Sequence, residues 1–423
     1  MKRALILSVL AGAAIHAQAG GGVARATSDT IRQYQLERDG KEFRLAMKTV
    51  PRPAPTAGQV LVRVRAVSLN QRDLLVMRGQ YGAGGAGDMN GHVPLSDGAG
   101  EVVAVGSGTR RFKVGDRVAG IFFMRWIDGP RTGDVGASAR GGGNVDGMLS
   151  EMMVAHEDSL VRIPNHLTFE EAATLPCAGV TAYRALFVEG LLKRGQFVLL
   201  EGTGGVSMFG LQFAAAAGAR PIITSSSDDK LQRARQLGAA GTVNYRTNEN
   251  WQREVRTLTG NAGVSHVLEV GGRDTLPKAL EALAFEGHIA LIGGLSGFAS
   301  SVPVGQLMGL GASATGIYVG SRADFEAMNR FITEHKIRPV VDRVFPFEDA
   351  AKGLRLHGQR ELLWKDCDQG QLACFATSRM SFAGSTTSGA FAGSASFLRR
   401  RTTPTNRPRV SNTGEPTLAP FRM

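Results

Sequence analysis

The sequence predicts an α/β protein of two interlocked domains, a small β-rich domain interrupted by a doubly wound parallel sheet. Three observations carry this. From residue 196 onward, short apolar strands alternate with helical stretches, the grammar of a parallel sheet covered on both faces. Before residue 165 the pattern has period two and is punctuated by glycine turns. The chain, at 423 residues, also exceeds the size of about 250–300 residues at which a single core stops growing.

The elements follow in order. Residues 31–49 alternate polar and apolar through QYQLERDGKEFRLA, with Asp39-Gly40 marking a hairpin turn. Pro51, Pro53 and Pro55 interrupt its ladder. QVLVRVRA is a strand with one solvated face, SLNQRDLLVMRG a short helical turn or loop, and GAGEVVAVG and KVGDRVAG two further strands. The glycine-rich stretch 129–147 is expected as a loose insertion near the mouth of the site. Thr168 followed by Glu171 makes a capping box for a helix running into Ala172–Ala173. The strands of the parallel sheet are FVLLEG, PIITS, GTVNY, HVLEV, GHIALIGG and SATGIYVG. The helices between them are GGVSMFGLQFAAAAGA, DDKLQRARQLG, ENWQREVRTLTG and TLPKALEALAF. DFEAMNRFITEHKI and FEDAAKGLRL return the chain to the first domain. The expected boundaries are 31–165 for the β-rich domain, 166–320 for the doubly wound domain with the helix leading into it, and 321–357 for the return. Residues 358–423 are an atypical Ser/Gly/Ala-rich tail, expected to be disordered.

Charge and cysteine narrow the function. Of the formal +12, residues 1–50 carry +4 and residues 358–423 carry +5, leaving +3 for everything between. That distribution argues against a nucleic-acid footprint. Three cysteines, Cys177, Cys367 and Cys374, cannot build a four-thiolate zinc site or a disulfide framework. Cys177 is expected as a buried small side chain. MKRALILSVLAGAAIHAQAG opens the chain like a signal peptide over residues 1–19; the alternative is translation begun upstream of the natural start. No segment reaches about 18 charge-free apolar residues, so no membrane span is expected.

The strongest chemical signal is LLEGTGGVSMFG. A buried strand ends at Glu201, glycines fill 202, 204 and 205, and a helix begins at once through Val206. Gly202 permits the tight turn. Gly204 lets backbone approach a pyrophosphate, whose charge the helix N-terminus stabilises. The last position of G-x-G-x-x-G is Ser207, small enough for helix to pack on strand. A nicotinamide dinucleotide is therefore the predicted cofactor. NADP is favoured and NAD stays open. The second strand ends in TSSS, so Ser225 and Ser226 stand where NAD-selective chains carry a carboxylate, and Lys230 and Arg233 follow. Asp228 and Asp229 count against this unless they serve as cap and first-turn charges; Lys230 also fits a plain solvated helix face.

VLVRVRAVSLNQRDLLVMRG, VPLSDGAGEVVAVGSGTRRFKVGDRVAG, AATLPCAGVTAYRAL, GTGGVSMFGLQFAAAAGA and GHIALIGG occur in that order. Together they resemble the medium-chain dehydrogenase/reductase superfamily, in its zinc-free, quinone-oxidoreductase-like branch. The resemblance runs from about Ile31 to Leu356. It implies a GroES-like catalytic domain interrupted by a Rossmann domain, and a homodimer paired near Ser313–Tyr318. It places Thr181 and Gly293 with the cofactor and Tyr245 beside its adenosine half. Zinc members ligate metal with a Cys, a His followed by Glu, and a second Cys. Here those positions read Asn70, Ser96-Asp97 and Cys177, a poor tetrahedral set, so no zinc is expected. His92 lies outside the ligand position and is expected at the surface.

Without zinc, the implied reaction is hydride transfer from NAD(P)H to a quinone or an α,β-unsaturated carbonyl. The Asn70 amide is expected to donate to the substrate carbonyl and Ser96 to assist, with loop capping as the alternative for Asn70. Asp97 is expected either to order its loop through backbone N–H groups or to pair with Arg72. Phe123 and Trp126 are read as walls of an apolar slot or as core. The rival functions are alcohol or aldehyde dehydrogenation, and a catalytically impaired relative that binds cofactor or nucleic acid, for which Arg399–Arg401 is the feature. Cofactor supply favours the cytoplasm; a genuine signal segment implies a periplasmic or secreted protein. Relatives close the catalytic domain with a strand like GKVVI, whereas this chain continues QRELLWKDCDQG. Loss of that strand and an exposed edge are expected.

Overall fold

The computed structural model describes residues 29–81, 88–142, 145–299, 303–362 and 372–376. The signal-like segment and the Arg399–Arg401 run lie outside them.

Thr30–Asp39 (β1) and Glu42–Pro51 (β2) form the expected antiparallel hairpin. It turns at Gly40, whose φ of 61° lies in the left-handed region that glycine enters without cost. Gln59–Ser68 (β3) leads to Gln71–Met77 (α1), with Asn70 at its N-cap. Asp97–Val105 (β4), Arg117–Gly120 (β5), Met152–His156 (β6) and Leu160–Arg162 (β7) continue the β-rich part. In the loop between β5 and β6, residues 129–134 are exposed, as a loose insertion would be, while 138–142 are packed. Gly133–Ser138 winds as a 3-10 turn, and Val135, Ala139 and Arg140 are buried. Phe169–Ala173 (α2) starts at the predicted box, with both Thr168–Glu171 hydrogen bonds in place. Val180–Tyr183 (α3) continues the same run between two wider, π-type turns.

The parallel sheet comprises Phe197–Leu200 (β8), Arg220–Ser225 (β9), Gly241–Asn244 (β10), Val264–Glu269 (β11), Leu283–Leu291 (β12) and Ser313–Gly316 (β13). Its helices are Gly205–Ala216 (α4), Asp228–Gln236 (α5), Trp251–Leu258 (α6), Leu276–Ala282 (α7) and Val304–Leu310 (α8). The strand order β10-β9-β8-β11-β12-β13 reverses direction between β8 and β11, which opens a crevice at the carboxyl ends of those strands. Leu199, Leu200, Ile222, Ile223, Val267 and Leu268 are fully buried, as strands covered on both faces require. The α7 helix is shorter than the pattern predicted. Leu283 and its successors join β12, because Leu283 pairs in register with Val264.

Arg322–Glu334 (α9), Val341–Pro346 (β14) and Ala350–Leu362 (α10) return the chain to the β-rich part. Leu372–Ala376 (β15) then pairs parallel with β14 and antiparallel with β3. This corrects two expectations. The tail is not featureless throughout, since α10 runs to Leu362 and Leu372–Ala376 is a strand. Nor is the closing strand lost: an unrelated stretch, LACFA, occupies the gap in the seven-stranded sheet. The reason is that unpaired N–H and C=O groups on two flanking strands accept any extended segment that reaches them.

Candidate active site

The dinucleotide turn is built as its residues require. Gly202 has φ 67° and donates its N–H to Thr224 Oγ1 at 3.0 Å, joining the ends of β8 and β9. Gly204 is the N-cap of α4 and offers no side chain to its amides; Gly205 and Val206 begin the helix. Ser207 is fully buried and its hydroxyl donates to the Glu201 carbonyl at 2.7 Å. The close approach of helix to sheet lies one turn further on. A Cβ at Gly210 would stand 2.8 Å from Leu268 and 2.9 Å from Leu200. Thr203 is buried and its hydroxyl has no partner among the described residues. Uncapped amides, an open backbone and an orphaned hydroxyl at a helix N-terminus fit a dinucleotide phosphate.

At the other end of the turn, Ser225 is buried and its Oγ accepts from the Ser227 N–H at 3.3 Å. Its carbonyl accepts from the Tyr245 N–H at 3.0 Å, so Ser225 and Tyr245 are neighbours. Ser226 and Lys230 are half-buried on the same turn, Lys230 receiving the cap of Ser227. Asp228 is held by Asn244 at 2.9 Å, a capping and bracing role. Gly293 follows β12 and its N–H donates to the Glu269 carbonyl at 3.2 Å; a Cβ there would sit 2.7 Å from the Val270 carbonyl.

The second cluster gathers residues far apart in sequence. Ser96 Oγ donates to Asp97 Oδ1 at 2.6 Å, and the Cys177 N–H donates to Asp97 Oδ2 at 2.8 Å. Thr181 Oγ1 donates to the Cys177 carbonyl at 2.7 Å. The turn that presents Ser96 is strained, with Leu95 at φ 71°. Gly141 and Gly147 press on its backbone where no side chain would fit. Asp97 has no solvent exposure, and burial pushes its carboxyl up to about 7 against the hydrogen bonds from Ser96, Cys177 and Asn70. Cys177 is half-buried rather than buried as expected, and desolvation, then the Asp97 charge, raises its thiol. Asn70 is buried and its Nδ2 lacks a hydrogen bond of normal geometry. Its N–H donates to Asp73 Oδ2 at 2.8 Å, and its side chain closes a capping box with Asp73 at the start of α1, the loop-capping alternative for this residue.

Asp97 thus orders the loop through backbone N–H, one of its two expected roles, and does not pair with Arg72. Arg72 instead donates to Asp73 at 3.2 Å and to the Arg140 carbonyl at 2.9 Å, and lies 4.2 Å over the Tyr81 ring. Tyr81 and Tyr318 share a hydrogen bond of 2.6 Å between the catalytic and dinucleotide domains. No local pattern marks that pair, because its members are brought together only by the domains' packing. Phe123 and Trp126 are core: Phe123 packs on Tyr318 at 5.3 Å and the Trp126 indole donates to the Gly129 carbonyl. His92 sits at the surface beside Asp146, 3.1 Å away. An amide, a hydroxyl, a carboxyl bonded at both oxygens and a raised thiol do not fit zinc. Among the described residues no group of three or more His, Cys, Asp or Glu is placed to hold a metal ion.

Comparison with known proteins agrees with this architecture. Residues 56–165 match the family described as "Alcohol dehydrogenase GroES-like domain" and residues 205–334 the family described as "Zinc-binding dehydrogenase". A zinc-type alcohol dehydrogenase-like protein of Schizosaccharomyces pombe is 43% identical over 298 residues, covering 69% of this chain and 85% of the relative. A quinone oxidoreductase of Pseudomonas aeruginosa is 35% identical over 293 residues, covering 69% of this chain and 80% of its own. A solved structure of a candidate alcohol dehydrogenase from Sinorhizobium meliloti 1021 superposes with a TM-score of 0.76. It is 38% identical, covering 83% of this chain and 99% of that one. The chain belongs to the medium-chain dehydrogenase/reductase superfamily, as an oxidoreductase of its alcohol dehydrogenase/quinone oxidoreductase-like branch.

Proposed function

We propose that the chain reduces a quinone or an α,β-unsaturated carbonyl compound with NADPH, without zinc. The observation that carries this reading is the pair at the position of the family's metal: a buried amide, Asn70, whose Nδ2 makes no hydrogen bond of normal geometry among the described residues, beside a buried carboxyl, Asp97, that burial pushes up to about 7. Gly202, Gly204, Gly205, Val206 and Gly293 would hold the pyrophosphate, with Thr181 at the nicotinamide end. Ser225, Ser226, Lys230 and Tyr245 would hold the adenosine end. When bound, the nicotinamide supplies the hydride. Asn70 Nδ2 donates to the substrate oxygen as that oxygen gains negative charge. Asp97 keeps a proton near neutral pH and can release it toward the same oxygen through Ser96 Oγ. The quinone oxidoreductase relative supports the substrate class.

NADPH is preferred over NADH because β9 ends in Ser225, not a carboxylate, and Asp228 is already engaged by Asn244. NADPH supply makes the cytoplasm the fitting compartment. The β13 strand ends the parallel sheet, and pairing of two such edges would give a homodimer. No helix among the described residues is long and apolar enough to cross a membrane.

Fluorescence titration with each cofactor, then quinone and enone turnover by wild type and Asn70→Ala, tests the reading. NADPH is expected to bind about tenfold more tightly than NADH, a difference of one charge-assisted contact. Asn70→Ala should lower kcat about a hundredfold at unchanged cofactor affinity. Equal kcat in the variant removes the amide from the mechanism. Turnover of simple alcohols that depends on added zinc overturns the proposal.

A further inference from the structure

The two central strands of the parallel sheet each lead to a glutamate: Glu201 follows β8 and Glu269 ends β11. Pairing of β8 with β11 sets Leu200 opposite Leu268, so Glu201 and Glu269 follow side by side. Glu201 is 4% exposed and Glu269 1%. One oxygen of each is well served. Glu201 Oε2 accepts from the Val270 and Gly271 N–H groups at 3.3 and 3.4 Å. Glu269 Oε1 accepts from the Gly272 N–H at 2.7 Å and the Thr275 hydroxyl at 2.6 Å. The other oxygens, Glu201 Oε1 and Glu269 Oε2, are buried and have no donor among the described residues. The register that sets Leu200 opposite Leu268 brings the two side chains against each other, and the approach of Glu269, after burial, pushes the Glu201 carboxyl up as a hydrogen bond between them would. Two carboxylates cannot bond in that way, since both only accept. A single proton between them satisfies both orphaned oxygens at once, whereas two adjacent buried negative charges would be costly.

Among the described residues no counter-charge is bonded to the pair. The groups facing it are the neutral Thr275 hydroxyl and the backbone amides of 270–272. The charged side chains on the covering turn, Arg273 and Asp274, are exposed and pair with each other at 2.8 Å. From the α4 side, Ser207 donates only to the Glu201 carbonyl. The pair also lies between the two glycine turns assigned to the dinucleotide: Glu201 precedes Gly202, and the Gly293 N–H is bonded to the Glu269 carbonyl.

We infer that Glu201 and Glu269 share one proton in the floor of the dinucleotide site, and that its loss weakens binding of the anionic cofactor. This rests on the dinucleotide reading of that site. By linkage, the cofactor must then favour the protonated pair as strongly as the proton favours the cofactor. Above neutrality, binding is accompanied by proton uptake. In Glu201→Gln, an amide N–H replaces the shared proton, keeping the contact to Glu269 without a titration.

The test is cofactor affinity against pH, with calorimetry in two buffers of different ionisation enthalpy to count protons taken up. Wild type is expected to lose about tenfold in affinity for NADPH and NADH from about pH 7 to about pH 9.5, the scale of one added partly screened charge. Both cofactors are used because a phosphate monoester titrates near about pH 6, below the window. Glu201→Gln should hold its affinity flat and take up no proton, and its melting midpoint at high pH should exceed that of wild type. Glu269→Gln should behave likewise. Parallel affinity profiles and equal proton counts in wild type and both variants would overturn the shared proton while leaving the dinucleotide site intact. Binding of neither cofactor at any pH overturns the dinucleotide reading itself, and the inference with it.

Discussion

The dinucleotide half and the catalytic half of this molecule differ in how far apart along the chain their partners lie. In the dinucleotide turn, Gly202 reaches Thr224 across 22 positions, and Ser207 reaches Glu201 across six. In the catalytic half, Asp97 reaches Cys177 across 80, Arg72 reaches Arg140 across 68 and Arg32 reaches Glu348 across 316. The glycine turn is assembled by one strand–helix–strand unit, although Glu201 beneath it reaches Val270 and Gly271 across 69 and 70 positions. The catalytic cluster exists only once distant segments have docked, so its chemistry depends on the whole fold. The difference implies that perturbing the catalytic half should cost more stability than perturbing the dinucleotide half.

The largest effect is expected at Asp97. Its folded pKa stands at about 7 against an ordinary value of 3.8, so the folded state holds a proton that the unfolded chain has released between those values. The contribution to stability is fully present below about pH 4 and is lost as pH rises through about 7, roughly 4 kcal/mol in all. Asp97→Asn should flatten that slope in urea melts between about pH 4 and about pH 8 and should lower turnover. A slope unchanged in the variant would mean that Asp97 is not the buried acid of this site.

Next comes the strand recruited from the tail. Truncation before Leu372 removes the ladder to β14 and β3 and should cost about 3 kcal/mol, a few net backbone hydrogen bonds and two exposed edges. Cofactor binding should survive, because β8, α4 and β9 make no pairing with β15. Loss of cofactor binding at temperatures where the truncated chain is still folded would break the comparison. The smallest effect belongs to Gly210→Val, which forces a side chain against Leu200 and Leu268. Overpacking at one local contact should cost about 2 kcal/mol by denaturant melt. A larger loss than in the truncated chain would show that the local unit is the more fragile half.

Legibility followed the same division. The hairpin turn at Gly40, the Thr168–Glu171 box and the glycine turn at 202–205 were readable because each is decided within a few residues. The Ser207 position was read correctly as small, yet the packing glycine proved to be Gly210, since the helix touches the sheet a turn later. The loop at 129–147 read as loose because glycine is abundant there; Val135, Ala139 and Arg140 nonetheless bury themselves against the β-rich part. The closing strand read as lost because LACFA shares nothing with GKVVI, while a sheet gap selects for extended backbone rather than for a motif. Residue type alone allows Phe123 and Trp126 either slot or core, and only the packing of Phe123 on Tyr318 and on Trp126 decides for core.

By itself the sequence determined the two-domain class and the glycine turn, because those depend on residue type and short spacing; that Asn70 and Ser96-Asp97 stand at the metal positions is what the family resemblance implies. Only the tertiary structure decided that Asp97 carries a proton near neutrality and that Glu201 abuts Glu269. It alone decided that Tyr81 meets Tyr318 across the domain boundary. Burial and charge proximity set those properties, and both arise from segments that meet only when the chain has folded.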